Sequence, residues 1–144
     1  YALSVQARAS LWLRDEAGGR EALAGMEGFR GRWMATVRQT VEAGLAALQG
    51  QEDDAGRLYR SCVEAWRAID VPLDLALCEL DMVTLLGSQR PEAVADAATE
   101  AREIFERLGA KPFLERLNSA LTSPTAHESG KPEAQPQLRA LASD

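Results

Sequence analysis

At 144 residues the chain is one domain's worth of sequence, and its 46% apolar and 26% charged content is that of an ordinary globular protein with a core to bury. The net charge of −6 is concentrated between residues 51 and 122, where fourteen acidic side chains face eight basic ones. Such a surface repels phosphate backbones and argues against nucleic acid as a partner.

No apolar run approaches the roughly 20 residues of a membrane-spanning helix, and no signal-peptide pattern opens the chain, so it reads as cytoplasmic. It begins at Tyr1 rather than methionine and reads as part of a longer protein. Cys62 and Cys78 fit neither a disulfide scaffold nor a metal motif, and their apolar helical faces make them small buried hydrophobes. Period-two alternation is absent, which leaves an all-α fold.

In chain order, residues 2–15 form a helix with Leu3, Ala7 and Leu11 aligned and Val5, Ala9, Trp12 and Leu13 beside them. Gly18-Gly19 predicts a break, and a short helix at 20–27 runs into Gly25, Gly28 and Gly31. This spacing lacks the GxGxxG pattern, a preceding strand and a following Lys-Ser/Thr pair, so it marks a bent helix junction rather than a phosphate loop. Residues 32–49 carry Met34, Val37, Val41, Leu45 and Leu48 on one face, flanked by small Thr36, Thr40, Ala43 and Ala47.

After Gly50 the acidic run Glu52-Asp53-Asp54 opens a helix at 53–70, whose apolar face is Ala55, Leu58, Tyr59, Cys62, Val63, Trp66 and Ile69. Pro72 closes that helix and opens the next, at 72–86. One stripe of this helix is Leu73, Ala76, Leu77, Leu80 and Val83; another is Leu75, Cys78, Met82, Leu85 and Leu86. A helix so apolar all round belongs between neighbours. Pro91 starts a helix at 91–108 with Val94, Ala98, Ala101 and Phe105 aligned, and Phe113, Leu114, Leu117 and Leu121 make a short closing helix. Residues 33–50 pair with 53–70 as one hairpin, and 72–86 with 91–108 as the next. Beyond Leu121 a Pro- and Ser-rich stretch, 123–144, reads as a flexible tail.

An internal echo connects the hairpins. Trp66, Ile69 and Pro72 reappear as Phe105, Leu108 and Pro112, a repeat of roughly 40 residues such as two-helix solenoid units use. The segments EAWRAIDVPLDLALCELDMVTLLG and EAREIFERLGAKPFLERLNSAL resemble the degenerate tetratricopeptide-like (TPR-like) arrays of large bacterial signalling proteins, although the full Trp, Leu-Gly and Tyr spacing is not met. In those proteins the array follows an ATPase module of the AAA/STAND type, with a class III adenylate cyclase upstream in some and a LuxR-type DNA-binding domain at the end of others. The resemblance implies antiparallel helical hairpins stacked as a short right-handed solenoid at 32–122, joined by N-terminal helices at 1–31. It also implies a non-catalytic protein-interaction or scaffold module, without cofactor, whose partner is a protein or peptide segment or a neighbouring domain of the same chain.

The inventory for chemistry is thin. His127, the only histidine, falls in the tail, which argues against Ser-His-Asp, Cys-His and histidine-rich metal sites. Glu52, Asp53 and Asp54 lack the alternating spacing of a calcium loop and read as a solvated helix cap. Asp81 stands out, because it lies on the apolar helix where an unpaired charge is costly. Glu79 and Asp81, with Arg38 and Glu42, are candidates for a groove that meets a basic partner segment; the alternative is an internal ion pair of Asp81 with Arg67 or Arg102. Two further alternatives are self-association through the 1–15 helix and a small-molecule sensor with a pocket around Trp12, Trp33 and Trp66.

Overall fold

The structure, a computed structural model, describes residues 1–122; the expected tail and His127 lie outside the described residues. Among these it holds seven helices and no strand: α1 (Ala2–Trp12), α2 (Glu16–Gly25), α3 (Arg32–Leu48), α4 (Glu52–Ile69), α5 (Pro72–Leu86), α6 (Pro91–Leu108) and α7 (Lys111–Thr122). The all-helical expectation holds.

The periodic helices form where their apolar spacing places them. In α4 the buried residues are Ala55, Tyr59, Cys62 and Trp66, successive steps along one face, and three carboxylates fill the first turn at the positive end of the helix dipole. Proline opens both α5 and α6, where its missing N–H costs nothing. Asp70 and Gly109 close α4 and α6 in the left-handed conformation, whereas Gly87 closes α5 right-handed.

The glycine run near the N-terminus departs from expectation. Helix α1 stops at Trp12 rather than residue 15, and α2 starts at Glu16, so Gly18-Gly19 lies inside a helix instead of breaking one. Asp15 caps α2 by accepting the Gly18 N–H, which recruits the glycines into the first turn. Gly19 is buried, and a Cβ there would sit 3.1 Å from Leu45 Cδ2, so its role is close approach between α2 and α3. The bend comes later, at Gly28 and Gly31, both with positive φ.

Helices α1 and α2, α3 and α4, and α5 and α6 pack as pairs, and each even-numbered helix also meets the odd-numbered one after it. The odd-numbered helices α1, α3, α5 and α7 pack successively on one another, and α1 reaches past α3 to touch α5. One hydrophobic core runs from Ala7 to Leu117, so residues 1–31 and 32–122 share it. Helix α5 is central, with eleven of its fifteen residues buried, which is the sandwiched position its all-round apolarity calls for.

Candidate functional site

Helix α5 carries two buried carboxylates, and they look in different directions. Glu79 and Asp81 are each 1% exposed. Two residues at about 100° per residue separate them by roughly 200° around the axis, so they cannot share a groove wall.

Asp81 points to α1. Arg8 Nε donates to Asp81 Oδ1 at 2.9 Å and Oδ2 at 3.0 Å, and Trp12 Nε1 donates to Oδ1 at 2.8 Å. Arg8 and Trp12 are four apart on α1, one above the other on a single face, which suits them to grip one carboxylate. The Arg116 guanidinium of α7 lies 4.2 Å above the Trp12 ring, a cation–π contact that braces the indole. Burial pushes the Asp81 carboxyl above its ordinary range, and the Arg8 charge and the hydrogen bonds from Arg8 and Trp12 oppose that without overcoming it. Asp81 therefore stands in an interior ion pair, the alternative to a groove position, though with a different partner. Its partner is neither Arg67, which bonds Glu100, nor Arg102, which bonds Asn118.

Glu79 points the opposite way, to an open groove between α4 and α6 whose floor is α5. The groove has a volume of about 350 Å³ and is walled by Arg60, Glu64 and Arg67 of α4 and by Asp96 and Glu100 of α6. Arg67 Nη2 bonds Glu100 Oε1 across it. Glu79 Oε1 is buried without a hydrogen-bond partner among the described residues. Desolvation, then the charge of the neighbouring Glu100 carboxylate and a hydrogen bond shared with it, pushes the Glu79 carboxyl up to about 9, while Arg67 pulls the other way. Glu79 thus carries its proton at neutral pH.

The other two candidates join neither residue. Arg38 Nη1 donates to the carbonyls of Met26 at 3.1 Å and Phe29 at 2.7 Å, tying down the bend between α2 and α3. Glu42 is exposed on α3. The groove residues passed over in the sequence had a usable signal: Arg60, Glu64 and Arg67 step by four and three, and Asp96 and Glu100 by four, each set on one helical face.

The three tryptophans do not converge on one pocket. Trp33 and Trp66 meet edge to face with centroids 6.1 Å apart, and Trp66 Nε1 donates to Thr40 Oγ1 at 3.3 Å, while Trp12 serves Asp81. Only Trp66 borders the cavity between α1, α3 and α5, which has a volume of about 70 Å³. That is far below the roughly 300 Å³ at which small-molecule pockets begin.

Cys62 and Cys78 are both buried, and the neighbouring Cys62, with burial, holds the Cys78 thiol well above the usual thiol range. Near them the Tyr59 hydroxyl is buried with no partner among the described residues, and burial raises it too. The acidic run at the start of α4 is occupied by cations of the chain itself: Arg90 bonds Glu52 and Asp53, and Arg57 bonds Asp54. Among the described residues no cluster of three or more His, Cys, Asp or Glu side chains is placed to hold a metal ion, and no helix is long and apolar enough to cross a membrane.

Comparison with protein-family models, curated proteins and solved structures returned no match to this chain.

Proposed function

We propose that this chain is a non-catalytic protein-interaction module: a TPR-like stack of antiparallel helical hairpins, wound as a short right-handed solenoid. It serves a multidomain bacterial signalling ATPase or adenylate cyclase-type regulator in the cytoplasm, and its ligand is a protein segment or a neighbouring domain of the same polypeptide. One observation carries this reading. The odd-numbered helices pack successively on one another, while each even-numbered helix meets the odd-numbered ones beside it in sequence, the nearest-neighbour order on which stacked hairpins depend, with the reach of α1 to α5 as a departure from it. Stacking of this kind leaves elongated grooves between successive outer helices, and such surfaces bind segments without any bond-breaking chemistry.

The test is a photo-crosslinking residue placed in turn at exposed positions Val5, Glu42, Arg60, Glu64 and Asp96 of the full protein in cells. Adducts with another protein or domain that cluster on one face are expected; no adduct from any position overturns the reading.

A second reading, self-association through α1, draws on the exposed apolar side chains at that end, Tyr1 and Leu13 at 80% and Val5 at 49%. Light scattering at several concentrations decides it, since a concentration-independent monomer removes it.

A further inference from the structure

The groove over Glu79 has a built character that its acidity alone does not confer. Four carboxyls, Glu64, Glu79, Asp96 and Glu100, meet there against the guanidiniums of Arg60 and Arg67. The Arg67 charge is already engaged by Glu100. At the floor Glu79, 1% exposed and protonated beside Glu100, keeps its Oε1 without a donor among the described residues. Buried acceptors are nearly always satisfied, so one left open at the base of a groove calls for a donor from outside. With Glu79 protonated, the carboxylates of Glu64, Asp96 and Glu100 still outnumber the guanidiniums of Arg60 and Arg67, and that excess favours a cationic donor. Between the charged walls Val63, Met82 and Ala97 supply apolar surface on which the stem of a long side chain can lie.

We infer that the groove between α4 and α6 docks a basic segment of a protein partner, which inserts one arginine or lysine side chain against Glu79 and Asp96. This deepens the protein-interaction reading and rests on it. The groove lies on the even-numbered helices, on the opposite side of α5 from the Arg8–Asp81 pair, so binding there leaves that pair intact. The groups facing Glu79 are Arg60, Glu64 and Arg67 from α4 and Asp96 and Glu100 from α6. An incoming cation favours the ionised carboxyl, so Glu79 gives its proton to solvent as the segment binds.

The experiment uses the 144-residue chain and a blocked peptide, acetyl-Ala-Leu-Arg-Leu-Ala-amide, followed by amide chemical shifts and by calorimetry in two buffers of different ionisation enthalpy. Shifts are expected at Val63, Ala93 and Ala97, with net proton release on binding. The isosteric citrulline peptide should bind about tenfold more weakly. Glu79→Gln should weaken binding about fivefold and abolish the proton release. Asp96→Asn, at an exposed position outside the ion pairs of the described residues, should weaken it by a similar factor.

Equal affinity for the citrulline peptide overturns the inference, as does full affinity in both variants. Propylguanidine binding as tightly as the peptide would make this a small-cation site and overturn the claim for a protein segment. Shifts confined to another face, or none at millimolar peptide, also overturn it. The wider reading is then decided separately by the crosslinking scan: adducts from α1 or α3 positions keep it while this groove fails.

Discussion

Removing the Asp81 carboxylate leaves the Arg8 guanidinium inside the fold with no counter-charge. Asp81→Ala is therefore expected to lose about 3–5 kcal/mol in denaturant unfolding, and the double change Arg8→Met with Asp81→Leu to recover most of that loss. Charge reversal by Asp81→Lys should unfold the chain, because it buries two cations together. Binding lost at an unchanged melting temperature would instead place Asp81 in a groove. Glu79 gives a different signature. Its carboxyl is at about 9 when folded, against 4.5 as the ordinary value. Between those values the folded state keeps a proton that the unfolded state has released, so stability is fully present below the lower value and falls as pH rises towards the higher. Glu79→Gln stays neutral throughout, so it should flatten that decline and be more stable by about 1–3 kcal/mol at pH 7, measured by urea unfolding across this window. That Asp81 was unusual could be read from its apolar neighbours Leu80 and Met82. That its partner is Arg8 could not, because the two lie 73 positions apart and only the packing of α1 on α5 brings them together.

Helix faces and helix contacts answer to different information. The α4 stripe and the all-round burial of α5 follow from periodicity, because 3.6 residues per turn fixes which side chains share a face. How closely two helices approach is fixed by the neighbour, and glycine records it. A Cβ on Gly44 of α3 would lie 2.5 Å from Leu11 Cδ1 of α1, so Gly44→Ala should destabilise by about 1–3 kcal/mol even though alanine is the better helix former. On α4, Gly56 has open space, with only the end of its own Arg60 side chain at 3.5 Å. Gly56→Ala should stabilise by about 0.5–1 kcal/mol. Thermal unfolding of the two variants checks the opposite signs. The same reasoning explains the misplaced start of α2: Gly18-Gly19 suggests a break when only local propensity is weighed, but the Asp15 cap and the nearby Leu45 side chain make glycine fit inside the helix.

Contacts between successive helices alone would make each hairpin answerable only to its neighbours, but α1 also reaches α5. Deleting residues 1–14 removes Arg8 and Trp12 together, so amide hydrogen exchange should accelerate in α5 as well as in α2 and α3. Acceleration confined to α2 and α3 would show that the reach to α5 carries no energy. From its own order of residues the chain determined the helical class, the positions of the later turns through Pro72, Pro91 and Gly109, the inward face of each long helix and the central place of α5. These depend on period and backbone chemistry, which are local. The tertiary structure alone decided that Asp81 belongs to Arg8 and Trp12, and that Glu79 lies beneath a charged groove walled by α4 and α6. An ion pair or a groove is a distance between residues far apart in the chain, and that distance exists only after the helices have packed.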